Sequence, residues 1–230
     1  MLKNPIINLK IVEKVASALE EINEEVLYVG GAVVSLYITD EGAEQSRPTK
    51  DIDISVQISS YSEMDVLREK LESKNIYPAS TETILYRYAL QDILIDFIPF
   101  EDTPLGPTNR WLKPGFDKAY PVEIGRQRIR ILPVSWYLAT KWEAFKNRGS
   151  DPRTSHDFED IIYVIDNNLE LVENVNEADK EIQDFLKEMA SEILSHPNCN
   201  EIIECHLNPY TRKERYQIVN SKLESIVAID

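Results

Sequence analysis

Two aspartates near residue 50 are spaced in a way that suits cation binding. Asp51 and Asp53 belong to a run in which polar and apolar residues alternate, and its apolar members are Ile52, Ile54, Val56 and Ile58. A period of two predicts a half-buried strand whose two carboxylates point to the same face, one pleat apart. Two carboxylates that close repel each other unless a cation lies between them. The spacing therefore predicts a metal site on this strand.

A third acid lies in a second predicted strand. Asp96 interrupts the apolar run 93–98, which is typical of a central strand. A buried carboxylate is costly without a partner. Two kinds of partner are open: an arginine in a structural ion pair, either Arg87 or Arg110, or a metal ion shared with the Asp-x-Asp pair. The nearby Asp-x-Asp strand favours the metal.

A glycine pair lies ahead of the acidic strand. Gly30 and Gly31 follow a predicted strand at 26–29 and open a predicted buried helix at 32–39. One interpretation is a tight turn with close helix packing. The other is a phosphate site, because backbone N–H groups at a helix start can approach a phosphate where no side chain intervenes. The position between a strand and the acidic strand favours the phosphate.

Two charged residues in the second half are further candidates. Lys141 lies at the edge of an apolar helical stripe formed by Leu138, Trp142 and Phe145. It can reach into a cleft or simply keep its amine in water. In the next helix, Asp157 lies about 40° from the inward-facing Ile161, whereas Asp160 lies about 100° away. Asp157 is therefore the better candidate, and its structural alternative is to complement the helix dipole.

The pattern of elements predicts an α+β fold, in which a mixed sheet flanked by helices is followed by a helical C-terminal region. We place the α/β core at residues 1–131 and the helical region at 132–230. Helices are predicted at 8–25, 32–39, 62–74 with Ser62 as N-cap, 134–147 after Pro133, 155–167 with Ser155 as cap, and within 176–228. Strands are predicted at 26–29, 51–58, 83–88, 93–98 and 122–131.

Composition narrows the class of protein. The formal net charge of −15 makes the chain a poor general nucleic-acid binder, because phosphate contacts need Lys and Arg. Two local basic clusters remain as alternatives, at Arg126, Arg128 and Arg130 and at Arg212, Lys213 and Arg215. No apolar run approaches the length of a membrane helix, and the N-terminus lacks a signal-peptide core. The chain is thus expected to be cytoplasmic, without a membrane partner, and Cys199 and Cys205 are expected to be reduced.

Taken together, these motifs resemble the nucleotidyltransferase superfamily with the polymerase-β-like fold. Its pattern is a glycine pair opening a helix, a later Asp-x-Asp strand and a third acid on a neighbouring strand. More narrowly, the chain resembles the AbiEii/AbiGii-type nucleotidyltransferases, which are toxins of bacterial abortive-infection systems. The stretch 47–53 resembles their Arg-x-Thr-x-Asp-x-Asp motif, and 138–145, Arg148 and 155–160 resemble their later lysine and aspartate motifs. Two departures are a longer gap from Gly31 to Asp51, which implies an inserted loop at 40–50, and His156-Asp157 in place of a Lys-Asp pair.

The resemblance implies a Mg²⁺-dependent enzyme that moves a nucleoside monophosphate from an NTP to an acceptor hydroxyl and releases pyrophosphate. It implies two Mg²⁺ ions, with Asp51 and Asp53 as ligands and Asp96 binding the second ion and helping to deprotonate the acceptor. It also implies nucleotide contacts, which would come from Gly30, Gly31, Arg47, Thr49 and Lys141, with Asp157 orienting Lys141 or the nucleotide.

The resemblance further implies an RNA acceptor, such as a tRNA 3′ end, and a cognate antitoxin as partner. Two alternatives stay open. One is a nucleotidyltransferase that modifies a small, antibiotic-type hydroxyl compound, since a cationic aminoglycoside suits an acidic surface. The other is a non-catalytic nucleotide-binding module that has kept the fold.

Overall fold

The computed structural model describes residues 5–79, 86–103 and 108–229, with side chains from residue 9 onward. The chain forms two compact units, one of Met1–Ser35 and Gln45–Pro133 and the other of Leu36–Glu44 and Val134–Asp230. The domain boundary expected between residues 131 and 132 stays a prediction. Residues 83–85 of the strand expected at 83–88 lie outside the described residues.

Seven strands in the described part of the first unit form one mixed sheet. They are β1 (Leu27–Val29), β2 (Asp51–Val56), β3 (Tyr77–Pro78), β4 (Arg87–Leu90), β5 (Ile93–Pro99), β6 (Tyr120–Ile124) and β7 (Gln127–Ile131). The order across the sheet is β3-β4-β5-β2-β1-β7-β6. Strand β2 runs parallel to β5 and antiparallel to β1, whereas β1 is parallel to β7. Strands β2 and β5 therefore both have a partner on each side, and the expectation of a central strand at 93–98 is confirmed.

The two faces of β2 and β5 differ as the alternation predicts. Ile52, Ile54, Ile95 and Phe97 are almost fully buried on one side. The ring of Tyr88 on β4 packs edge-on against Phe97, and its hydroxyl donates to Met64 Sδ. Because Met64 belongs to helix α2 (Tyr61–Ser73), that helix lies over the apolar face. The polar residues of β2 are left to the opposite face.

Three further helical segments of the first unit surround the sheet: α1 (Pro5–Leu19), the 3₁₀ helix Glu20–Glu25 and α3 (Leu112–Phe116). The helix expected at 32–39 is instead a 3₁₀ helix, Gly31–Tyr37. Its centre is buried, as expected. The adjacent β-branched side chains of Val33 and Val34 lower the preference for α-helical geometry.

Helix α2 begins at a different cap from the one expected. Its N-cap is Ser60, whose side chain accepts a hydrogen bond from the backbone N–H of Glu63. The Glu63 carboxylate in turn accepts from the backbone N–H of Ser59 at 2.7 Å. The expectation of Ser62 as N-cap was wrong, because the serine followed three residues later by a glutamate sets up the reciprocal capping pattern.

The second unit is helical. Its helices are α4 (Val134–Arg148), α5 (His156–Asn167), α6 (Leu171–Asn176), α7 (Lys180–Ser195), α8 (Cys199–Glu204) and α9 (Arg212–Val227). The expected cap of α5 is confirmed, since Ser155 Oγ accepts from the N–H of Phe158. A mixed sheet flanked by helices and followed by a helical region confirms the expected α+β fold. In the residues that the structure describes, no helix combines the length and hydrophobicity that a membrane span requires.

Segment 36–44 packs on the C-terminal end of α5. The backbone N–H groups of Thr39 and Asp40 both donate to the carbonyl of Asn167. The ring of Tyr37 stacks on that of Tyr137 at 4.2 Å. These contacts explain why this piece of the N-terminal half belongs to the helical unit.

A half-buried lysine lies at the same helix end. Lys222 of α9 donates to the carbonyls of Ile165, Asp166 and Asn168 at 2.7, 3.1 and 2.8 Å. Burial lowers the pKa of Lys222 from its ordinary value, and the nearby Asp166 opposes that shift. The ammonium satisfies carbonyls that a helix end otherwise leaves without partners.

The capping arrangement of α2 predicts unequal effects of two nearby serine substitutions. Ser60→Ala should lower the free energy of unfolding by about 1 kcal/mol, because the N–H of Glu63 loses its acceptor. Ser62→Ala, at an exposed helical position, should stay within about 0.5 kcal/mol of the wild type. Chemical denaturation of both variants measures this, and a larger loss for Ser62→Ala contradicts the assignment of the cap.

Candidate functional site

The strand registers bring three charged residues into one row across the sheet. Asp53 of β2 lies beside Asp96 of the parallel strand β5, and Asp96 lies opposite Arg87 of the antiparallel strand β4. Asp51 precedes Asp53 by two residues and therefore shares its face. The structure thus brings together the three acids that the sequence singled out.

The guanidinium of Arg87 connects two of these acids. Its Nε and Nη2 atoms donate to the two carboxylate oxygens of Asp96, each at 2.7 Å. Nη2 also donates to Asp51 Oδ2 at 2.9 Å. The Asp96 and Arg87 side chains are each 15% exposed, whereas that of Asp51 is 35% exposed. Bidentate pairing of this kind is among the strongest charge-assisted contacts in proteins.

Arg87 is therefore part of the site. The sequence had named it only as one of two possible ion-pair partners of Asp96. The other, Arg110, lies over the ring of Trp111. The strand register selects Arg87, and a single sequence does not reveal register. The signal in the sequence was a basic residue near the end of the strand predicted at 83–88, shortly before Asp96.

The chemistry of the donor set fits Mg²⁺, but the arrangement is not a closed metal cage. Carboxylate oxygens are the ligands that Mg²⁺ prefers. Within the described ranges, no group of three or more His, Cys, Asp or Glu side chains lies close enough together to hold a metal ion. Arg87 forms ion pairs with Asp51 and Asp96. All three can serve one ion only after the guanidinium has moved, so the metal roles of Asp51, Asp53 and Asp96 stay predictions.

Gly30 is fitted to the carboxylate of Asp53. Its φ of +71° lies in the left-handed region, and a Cβ there would be 1.9 Å from Asp53 Oδ2. Glycine is thus required both by the backbone turn and by the close approach of the acid. Gly31 begins the 3₁₀ helix that follows. The structure shows a turn at Gly30 whose close contact is Asp53 of β2, and the phosphate role of the glycine pair stays a prediction.

Arg47 and Thr49 lie just before the acidic strand. Both are half-buried, in a stretch without regular secondary structure that leads into β2. Both make contacts within the protein. Thr49 is two residues from Asp51, so its distance along the chain suits a role beside the acids. Their part in nucleotide binding stays a prediction.

Lys141 and Asp157 meet within the helical unit. Lys141 Nζ lies 3.2 Å from Asp157 Oδ1 and 2.6 Å from Asp160 Oδ2. The three side chains are only 8%, 7% and 2% exposed. Arg148 forms an ion pair with the other oxygen of Asp157. Lys141 is thus enclosed by acids, and its expected contact with phosphate stays a prediction.

Asp160 is a residue that the sequence analysis ranked too low. Its angle from the apolar stripe of α5 placed it away from the interior, yet it is the most buried member of the cluster and the nearest carboxylate to Lys141. Helical periodicity describes one helix and does not locate a cation on its neighbour. The position of Lys141 on α4 decides which face of α5 is buried there.

Three arginines of the two predicted basic clusters contact other groups of the protein: Arg128, Arg130 and Arg215. Arg128 pairs with Glu123, and Arg130 donates to the carbonyl of Phe116 while its guanidinium lies over that ring. Arg215 pairs with Asp40 and Asp166. These contacts reduce the positive charge available to an RNA backbone.

The fit between Gly30 and Asp53 predicts a large effect of a small substitution. Gly30→Ala should cost about 1–3 kcal/mol more than Gly149→Ala, because its new methyl group collides with a carboxylate. Gly149 has a similar φ of +60° but nothing within 4 Å of a Cβ, so its variant reports only backbone strain of about 1–2 kcal/mol. Urea unfolding of both proteins tests this, and equal losses contradict the collision.

The buried ion pairs of α4 and α5 predict a second contrast. Lys141→Met should lower the free energy of unfolding by about 3–5 kcal/mol, because it leaves the Asp160 carboxylate buried without its cation. Lys146→Met on the same helix removes an exposed pair with Glu192 and should cost at most about 1 kcal/mol. Denaturation of the two variants under the same conditions measures the difference, and similar costs exclude a structural role for the Lys141 cluster.

Comparison with known proteins identifies the type of fold. No known protein family and no curated protein matches the chain. A crystal structure of an antigenic nucleotidyltransferase-like protein from Paracoccidioides brasiliensis matches 86% of this chain and 92% of that chain, with 18% identity and a TM-score of 0.53. The structure of JHP933 from Helicobacter pylori matches 99% of this chain and 94% of that chain, with 12% identity and a TM-score of 0.45, too low to establish a shared fold. The chain has a nucleotidyltransferase-like fold, and the abortive-infection subtype is not confirmed.

Proposed function

We propose that the protein is a Mg²⁺-dependent nucleotidyltransferase, which moves a nucleoside monophosphate from an NTP to an acceptor hydroxyl and releases pyrophosphate. One observation carries the proposal: Asp53 and Asp96 lie side by side on parallel strands, with Asp51 one pleat away and Gly30 packed against Asp53. This arrangement lies in a nucleotidyltransferase-like fold.

The three acids have distinct proposed roles. Asp51 and Asp53 would hold the cation that accompanies the nucleotide, and Asp96 would direct the proton of the acceptor hydroxyl and complete a second cation site. Bound Mg²⁺ supplies charge stabilisation at the attacking and leaving oxygens. The partial exposure of Asp51 supports access from solvent, which a ligand site requires.

The nucleotide contacts are proposed to come from both sides of the acidic strand. The backbone N–H groups at Gly30 and Gly31 suit the triphosphate, because the two glycines carry no side chain of their own. Arg47 and Thr49 lie on the approach to β2 and offer a cation and a hydroxyl. Asp157 is proposed to orient Lys141, which their ion pair supports. A phosphate contact by Lys141 requires it to leave Asp160, and its burial opposes that part of the proposal.

The acceptor separates two versions of the proposal. The resemblance to AbiEii/AbiGii-type enzymes supports an RNA acceptor, such as a tRNA 3′ end, and with it a toxin that has a cognate antitoxin. The net charge of −15 and the pairing of Arg215 with Asp40 and Asp166 favour a small cationic hydroxyl compound instead. The charge of the acceptor is thus the property that distinguishes them.

A second candidate function is a nucleotide-binding module without transfer activity. The observation that favours it is the pairing of Arg87 with both Asp96 and Asp51, which occupies carboxylate oxygens that catalysis needs. In this version the fold binds nucleotide, and the acids serve stability.

Transfer of label from α-³²P NTPs in the presence of Mg²⁺ tests the proposal, with tRNA, total RNA and aminoglycosides as acceptors. We expect transfer by the wild type and a loss of about 100-fold or more for Asp53→Asn, which weakens the cation site. Asp92→Asn, at an exposed turn residue of the same unit, is the matched control and should retain full activity.

The distribution of label decides between the versions. Label on RNA supports the toxin-type acceptor, and label only on the aminoglycoside supports the small-molecule acceptor. Nucleotide binding without transfer to any acceptor supports the non-catalytic module and contradicts the proposed enzyme. Full activity in Asp53→Asn contradicts the assignment of the site.

A further inference from the structure

The contacts of Arg87 are set by the sheet and not by a mobile loop. Arg87 is the register partner of Asp96, which is itself the register partner of Asp53. Side chains at directly paired positions of neighbouring strands lie within contact distance on the same face. The strand pairing that places the carboxylates side by side therefore also places the guanidinium next to them.

The guanidinium also carries a permanent charge. Arginine is not deprotonated in proteins, so Arg87 is cationic at every working pH. It offsets one of the three carboxylate charges, and it takes both oxygens of Asp96 and one oxygen of Asp51. A divalent cation at the same oxygens has to compete with the guanidinium for the carboxylates and is repelled by its positive charge.

We propose that Arg87 is a positioning residue that competes with the divalent cation for Asp96 and Asp51, so that Asp96 becomes a metal ligand only after the guanidinium releases it. In the absence of the cation, Arg87 supplies a counter-charge to Asp96 and Asp51 and holds their side chains in place. The inference rests on the proposed function, because it takes the three acids to be the cation site. It adds that the affinity for the cation is set by a residue that is not a ligand.

The proposal predicts two effects of removing the guanidinium. The affinity for the cation rises, and the unfolding temperature of the cation-free protein falls. Mn²⁺ is a suitable probe, because it shares the preference of Mg²⁺ for carboxylate oxygen and its free form is measured by electron paramagnetic resonance. We expect Arg87→Met to bind Mn²⁺ about 10-fold more tightly than the wild type, which corresponds to about 1.4 kcal/mol.

Two further variants control the measurement. Arg87→Lys keeps the charge but loses the bidentate geometry, so its Mn²⁺ affinity should lie between those of the wild type and Arg87→Met. It also remains informative if Arg87→Met fails to fold. Arg128→Met removes an exposed arginine that pairs with Glu123 in the same unit, and its Mn²⁺ affinity should equal that of the wild type.

Thermal unfolding supplies a readout that a purely structural role does not reproduce. In the presence of a chelator, Arg87→Met should unfold at a lower temperature than the wild type, because its carboxylates repel without a counter-charge. Saturating Mn²⁺ should raise the unfolding temperature of this variant by more than that of the wild type. A structural arginine predicts the same deficit with and without Mn²⁺.

The outcomes separate failure of this proposal from failure of the proposed function. Equal or weaker Mn²⁺ binding by Arg87→Met and Arg87→Lys, with binding abolished by Asp53→Asn, overturns the competition while the cation site stands. The absence of Mn²⁺ binding in the wild type and both variants at millimolar concentration overturns the competition and the metal-dependent function together. Tighter Mn²⁺ binding by the two Arg87 variants that is lost when Asp53→Asn is combined with them supports both the competition and the proposed cation site.

Discussion

Electrostatic crowding of carboxylates on one side of the sheet is the constraint on which the first unit depends. Two carboxylates about 4 Å apart repel by about 4 kcal/mol at an effective dielectric constant near 20. The register of β2 and β5 places Asp53 beside Asp96, and Asp51 is one pleat away. Arg87 supplies the counter-charge from the next strand. Apolar residues at these positions would avoid this repulsion, which supports the proposed cation site.

The helical unit also contains a cation between two carboxylates, but this cluster is more deeply buried than the one on the sheet. Lys141 lies between Asp157 and Asp160 much as Arg87 lies between Asp51 and Asp96. Exposure separates the two clusters, because the lysine cluster is almost fully buried while Asp51 is one-third exposed. A buried ion pair exchanges partners at great cost, since a bare charge would remain in a low dielectric. The ion pairs on the sheet can therefore exchange partners at lower cost than those between α4 and α5, which connect two helices.

Between the glycine turn and the acidic strand, part of the chain belongs to the second unit. After the glycine turn, segment 36–44 joins the helical unit, where Asp40 pairs with Arg215 and backbone groups bond to the end of α5. The chain then returns to the first unit at Gln45 and reaches β2 through Arg47 and Thr49. The proposed nucleotide contacts thus flank a segment that is anchored by its own hydrogen bonds. The stretch between Gly31 and Asp51 contains this segment.

The sequence by itself determined the local features, because they follow from periodicity and from the chemistry of single residues. Alternation over Asp51–Val56 specified a half-buried strand, the glycine pair specified a turn, and Ser155 specified the start of α5. The tertiary structure alone decided the partners. Strand register selected Arg87 over Arg110 for Asp96, and the packing of α4 on α5 gave Asp160 to Lys141. Register and packing depend on residues distant in the chain, whose mutual positions no local pattern records, and for that reason the counter-charges of both clusters emerge only in the folded protein.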